Sequence, residues 1–136
     1  MPANALVRHY RAREACDLAK VLSFFDPDGE FLLNGEGAGL PGITELANGF
    51  LAVRERFAAL LGLFRLQHWR STSLMVEDDT AALTWKADVE CVATGKYGAF
   101  QAVAVCRFRD GKILSMREHT DTAKLAKLLW LRPVLA

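Results

Sequence analysis

A carboxylate set inside an apolar strand is the first feature of this sequence that could do chemistry. Period-two alternation over Lys112–Thr120 puts Leu114, Met116, Glu118 and Thr120 on one face, and Ser115, Arg117 and His119 on the other. Glu118 then lies between Met116 and Thr120, and a bare buried charge is costly enough that it needs a partner or a task. A second polar set occurs in Trp85-Lys86-Ala87-Asp88-Val89-Glu90, where Lys86, Asp88 and Glu90 alternate with Trp85, Ala87 and Val89. A cation shared by two carboxyls lets one stay ionised while the other keeps its proton. General acid–base catalysis uses that arrangement, and it contributes roughly 10²–10⁴-fold in rate. The plainer reading of the Lys86 face is a solvated one, the usual meaning of such alternation.

Other reactive residue types are scattered. His9, His68 and His119 show no metal-ligand spacing, and Asp121 has the position of an N-cap for the last helix. Cys16, Cys91 and Cys106 are odd in number and read as reduced core thiols. The loop Gly35–Gly42 lacks phosphate-binding spacing and reads as the flexible rim of a pocket. Trp69, Trp85, Phe100, Phe108, Met75 and Met116 are chiefly core, with some expected at a pocket mouth.

These residues need elements to hold them. Leu6, Tyr10, Ala15, Leu18, Val21, Leu22 and Phe25 form a helical stripe from a cap at Asn4, with a break near Cys16 and Asp17 that predicts two helices. Asp26-Pro27-Asp28-Gly29 predicts a turn and Glu30–Asn34 a short strand. Thr44 to about Leu60 predicts a helix ended by Gly62. The period then falls from 3.6 to 2. Runs over Phe64–Glu77, Thr80–Thr94, Tyr97–Arg109 and Lys112–Thr120 are joined by short hairpin-like links, and Thr122–Trp130 closes as a helix. Four or five strands of this length must twist and curl, and against the helices they form a cone with an open mouth.

This order, ending in Phe108-Arg109-Asp110-Gly111-Lys112-Ile113 and Arg117-Glu118-His119-Thr120-Asp121, resembles the nuclear transport factor two-like superfold over nearly the whole chain. That group includes ketosteroid isomerase, scytalone dehydratase, SnoaL-like polyketide cyclases and limonene-epoxide hydrolase. The resemblance implies an α+β fold: a curved antiparallel sheet, a cone-shaped half-barrel, wrapped by N-terminal helices around a pocket. For the site, limonene-epoxide hydrolase is the nearest likeness. Lys86-x-Asp88 stands where that family has Arg-x-Asp, Glu118 where it has a second Asp, and Asn34 where its Asn helps to hold the attacking water. The likeness implies Glu118 as general base, Asp88 as general acid, Lys86 as the bridge between them and Asn34 as holder of the water. Met116, Thr120, Tyr10, Phe25, Phe50 and Cys106 are then the expected substrate-binding residues. The sequence departs from the family in Lys for Arg, Glu for Asp, and Leu32 at the tyrosine position. Ketosteroid isomerase fits less well: its proton-shuttling Asp falls near Leu33 or Asn34, and its oxyanion-hole Asp near Ala104.

Composition bounds the function. With 136 residues, 51% hydrophobic and 24% charged, the chain reads as one domain, 1–136. A net charge of +1 spread over interleaved signs leaves no basic stripe to track nucleic acid. No apolar run reaches membrane-spanning length, and MPANALVRHYRAR lacks a signal-peptide core, so a soluble cytoplasmic protein is expected. No cofactor motif is present. The expected function is cofactor-independent acid–base chemistry on a small apolar, oxygen-bearing molecule: epoxide hydration, cyclisation or isomerisation. The rival is a non-catalytic binder or dimerisation module. A homodimer through the outer sheet face is expected, with Val103, Val105, Trp85 and Val89 as candidate contacts.

Overall fold

The computed structural model describes residues 2–35, 40 and 42–130. The elements are α1 (Pro2–Glu14), α2 (Leu18–Ser23), β1 (Phe25–Asn34), β2 (Ala47–Asn48), α3 (Phe50–Leu63), β3 (Phe64–Glu77), β4 (Thr80–Cys91), β5 (Tyr97–Arg109), β6 (Lys112–Thr120) and α4 (Thr122–Leu129). Six strands form one curved, unclosed sheet in the order β2-β1-β6-β5-β4-β3. Every neighbouring pair is antiparallel except β1 and β6, which run parallel. That parallel pair requires a long crossover, and the whole of β2 to β5 supplies it. The helices cover the concave face.

Local chemistry explains most boundaries. Asp17 caps α2 by accepting a hydrogen bond from the Lys20 backbone N–H, and Asp121 caps α4 in the same way through Lys124. Asp110 and Gly111 both take left-handed φ values, 51° and 78°, as the tight β5–β6 hairpin requires. Asn4 lies inside α1, which already begins at Pro2, so it is not the expected cap.

Two boundaries move further. Asp26-Pro27-Asp28-Gly29 is not a free turn but a bulge inside β1: Phe25 faces Ile113 and Glu30 faces Ser115, so four residues stand opposite one. The helix expected from Thr44 begins instead at Phe50. Gly49, at φ 90°, turns the chain, while Ala47 and Asn48 extend to pair with Phe31 and Glu30. Gly62 is inside the last turn of α3, and β4 stops at Cys91 rather than Thr94. Most of the expected rim loop, residues 36–39 and 41, lies outside the described residues.

One core fills the cone. Leu6, Tyr10, Phe31, Phe57, Leu83 and Met116 are fully buried in it. β4 alternates cleanly: Leu83, Trp85, Ala87 and Val89 point inward. Trp85 and Val89 are therefore not on the outer face where a dimer contact was expected, whereas Val103 and Val105 are. β6 breaks its alternation once. Ile113 is buried and Leu114 only half-buried, because the register slips between Arg107 and Phe108 on the partner strand. From Met116 onward the expected parity holds.

Candidate active site

α1 and β6 meet at a buried polar cluster. Tyr10 and Arg13 are three residues apart on α1, so both project from one side of the helix, over the sheet. Glu118 rises from β6 between Leu33 of β1 and Ala104 of β5 and is 3% exposed. Arg13 Nη1 donates to Glu118 Oε2 at 2.5 Å and Nη2 to Oε1 at 3.2 Å. The Tyr10 hydroxyl donates to the same Oε2. Oε2 thus takes two close donors, while Oε1 carries one longer contact and keeps lone pairs for something else.

Aromatic rings hold this cluster still. Tyr10 stacks on Trp69 with centroids 5.0 Å apart, and Arg13 lies over the rings of Tyr10 and Phe57. The electrostatics follow. Burial, and then the Glu118 charge, raise the Tyr10 hydroxyl well above its ordinary pKa, which keeps its proton in place. Burial works against the Arg13 charge, but Glu118 and Tyr10 outweigh it and its pKa is raised. Cys106 is pushed up by burial and by Glu118, so it stands as a neutral thiol. One turn before Arg13, His9 sits in a ring of Tyr10, Phe24, Phe25 and Phe57. Neither of its nitrogens has a side-chain or backbone partner at hydrogen-bond distance and angle among the described residues. Burial, then Arg13, hold its pKa well below the usual value, with the Val21 backbone acting weakly the other way.

Above the cluster a narrow pocket opens to solvent, and the cavity within it measures about 40 Å³. Its polar residues are Arg13, Glu118 and Thr120. Its walls are apolar, chiefly Leu33, Leu60, Phe64, Trp85, Phe100 and Leu125. α4 closes one side: Thr94 donates to the Leu128 carbonyl at 2.6 Å, and Lys124 reaches the Ala99 carbonyl over the Phe100 ring. Apolar walls with a few convergent polar groups are the ordinary make-up of a small-molecule site. Among the described residues no three His, Cys, Asp or Glu side chains gather as metal ligands would.

The structure brings together only part of the expected constellation. Glu118 and Thr120 line the pocket, and Tyr10 supports Glu118 from beneath. Thr120 gives its hydroxyl proton to the Gln101 carbonyl at 2.7 Å, leaving that oxygen an acceptor. Lys86 is exposed on the opposite sheet face, and Asp88 on that face pairs with His68 at 3.0 Å. Neither reaches Glu118, so the two-carboxylate bridge is not formed. Asn34 also points outward and meets His119 at 3.2 Å. Its register partner is His119, while Leu33 is the partner of Glu118, and one residue along a strand reverses the face. Met116 and Cys106 are fully buried core, and Phe25 packs on His9 and Phe57. Phe50 is 48% exposed at the start of α3, in a separate shallow depression with Leu18 and Arg54.

The residue the sequence reading missed is Arg13. A signal was available: an arginine three residues after Tyr10 falls on the buried stripe of α1, where a charge needs a partner as much as Glu118 does.

A family model described as a SnoaL-like domain matches residues 6–116. No curated protein matches the chain. An NTF2-like protein of unknown function from Burkholderia pseudomallei is similar in structure at TM-score 0.81 and 20% identity, covering 96% of this chain and 98% of that one. A proposed isomerase from Rhodopseudomonas palustris matches at 0.79 and 19%, covering 91% and 94%. TerC, co-crystallised with polyporic acid, matches at 0.78 and 23%, covering 93% and 96%. At these identities the likeness shows the fold.

Proposed function

The chain belongs to the SnoaL-like domain family, and on that premise we propose that it is an isomerase or cyclase in which Glu118 moves a proton on a small apolar carbonyl compound. A coarse isomerase or cyclase role is what the family and its neighbours support. The observation carrying the finer reading is the asymmetric carboxylate: Oε2 is held by Tyr10 and Arg13, while Oε1 is left with one 3.2 Å contact in a residue that lines the pocket. In the proposed step Oε1 takes a proton from the carbon next to a carbonyl. The C–H pair moves into an enolate, which either accepts the proton back at another carbon or closes a ring on a second carbonyl of the same molecule. Arg13 and Tyr10 hold the carboxylate in one orientation. That one solved neighbour was crystallised with polyporic acid is consistent with an oxygenated ring compound as substrate.

Epoxide hydration is the weaker form of the reading. It needs a second acid opposite Glu118, and Asp88 stands across the sheet. A non-catalytic binder is the second reading, favoured by the fact that Arg13, Tyr10 and Glu118 already satisfy one another. Turnover of cyclic ketones and ketone-bearing polyketide analogues, compared between wild type and Glu118→Gln, separates the two. Loss of at least about 10²-fold in kcat is expected for the base, both in Glu118→Gln and in Glu118→Gln combined with Arg13→Met, where no buried charge is orphaned. Ligand-induced thermal stabilisation without turnover, equal in both proteins, means a binder.

A further inference from the structure

The cavity beside Glu118 is far smaller than the reaction proposed for it. About 40 Å³ gives room for about three waters, whereas sites for small organic ligands measure roughly 300–1,000 Å³. A wall must move before a ring compound reaches Oε1, and the walls are not equally held. Leu33, Leu66, Trp85, Val89 and Phe100 sit in the continuous hydrogen-bonded sheet. α3 runs straight into β3, and its Leu63 carbonyl accepts from the Val92 backbone N–H at 2.9 Å. Arg13 of α1 is pinned by Glu118.

The remaining wall, α4, differs. Among the described residues no backbone hydrogen bond joins it to another element. Its polar attachments are side chains on carbonyls: Thr94 and Lys96 hold those of Leu128 and Trp130 at its C-terminal end, and Lys124 reaches that of Ala99. The N-terminal end is seated tightly instead. A Cβ at Gly35 would stand 2.7 Å from the Thr122 Cβ, so the chain is closely packed where α4 begins. The helix thus has a tight seat at one end and a polar latch at the other, with Leu125 between them in the pocket wall.

We propose that α4 is the lid of this pocket: it swings about Thr122, released at Thr94, to admit a ring ketone, and closes Leu125 onto that ring. The proposal rests on the reading of this cavity as the substrate site, and not on Glu118 acting as base. Closure shields the bound ligand from water and returns Leu125, Ala126 and Leu128 to the core.

The test sets a thiol in the pocket wall and times its labelling. Val89→Cys in a Cys16→Ser background puts that thiol in the same pocket as Leu125, and the aromatic disulfide dithiobis-nitrobenzoate is too large for the closed cavity. The parent Cys16→Ser protein, left with buried Cys91 and Cys106, gives the rate set by opening of the core. The pocket thiol is expected to react at least about tenfold faster than the core thiols. Thr94→Val, which removes the latch hydroxyl, should speed it a further threefold to tenfold, on the order of one hydrogen bond, without moving the core rate. Amide exchange read by NMR needs no cysteine change and stands even if Val89→Cys does not fold. There α4 should exchange while β4, β5 and β6 stay protected, faster in Thr94→Val, and saturating 1-tetralone should slow it at least about fivefold. A pocket thiol no faster than the core thiols, rates indifferent to Thr94→Val, or α4 exchange unmoved by tetralone up to its solubility each overturn the lid. Neither measurement uses turnover, so turnover surviving in Glu118→Gln removes the base assignment and leaves the lid.

Discussion

At the scale of single residues, two buried charges without each other would be untenable. Arg13 and Glu118 are each less than a tenth exposed, and removing one leaves the other unpaired in the core. Arg13→Met should therefore cost about 3–5 kcal/mol, a fall in melting temperature on the order of 10 °C. Arg13→Met with Glu118→Gln should recover part of it, because no orphan charge remains; thermal melts of both single variants and of the double variant check this. If the two effects simply add, the pair is not coupled. His9 makes a second prediction, with a definite sign. Its pKa is held down in the fold, by burial first and then by Arg13, so the folded state refuses a proton that the unfolded chain accepts below about 6.5. Its contribution is complete above that value and is lost as pH falls toward the depressed folded pKa. Melting temperature should decline as the pH is lowered below about 6.5, and His9→Phe should flatten that decline. An unchanged slope in His9→Phe would assign the acid sensitivity elsewhere.

Elements carry the site through parity and through one bulge. Asp26 and Asp28, inside the β1 bulge, both accept from Arg109, which holds the start of β1 against the β5–β6 hairpin. Gly29 lies so close to the Asp26 and Ile113 carbonyls that a Cβ there would stand 2.9 Å from each. Backbone oxygens cannot swing away as a side chain can, so Gly29→Ala should destabilise by about 1–3 kcal/mol, read by chemical denaturation. A neutral result would mean that the bulge yields. The same elements explain what could be read from the sequence. Period two placed Met116, Glu118 and Thr120 on the inner face, and the spans of β3, β5 and β6 were legible because long strands and hairpin turns leave local marks. Partnership across the cone leaves no such mark. Glu118 was visible as a charge needing a partner, but its partner is 105 residues away on α1, and choosing Lys86 over Arg13 required knowing which sheet face α1 covers. Asn34 failed for a one-residue reason: nothing local says whether Leu33 or Asn34 faces inward once a bulge precedes them.

For the whole molecule, the outer sheet face is where a second copy would sit. Its centre is apolar: Val105 is 38% exposed and Met75 66%, with Val103 and Ala82 half-buried between them. Both charge signs surround that patch, with Lys86, Arg107 and Arg117 against Glu30, Asp88 and Glu90. A two-fold contact brings each patch onto itself, so a face carrying both signs can be self-complementary where a single sign would repel. We propose a homodimer through this face. A stable one buries about 800 Å² per partner, and the β4, β5 and β6 surfaces offer a continuous sheet for it. Light scattering at micromolar concentration should give twice the chain mass, and Val105→Glu should shift it toward the monomer without changing the melting of the isolated fold. Since Trp85 and Glu118 point the other way, the same substitution should leave ligand binding in the pocket intact. A wild-type monomer at that concentration would remove the dimer, and loss of pocket binding in Val105→Glu would mean that the two faces of the sheet are not independent.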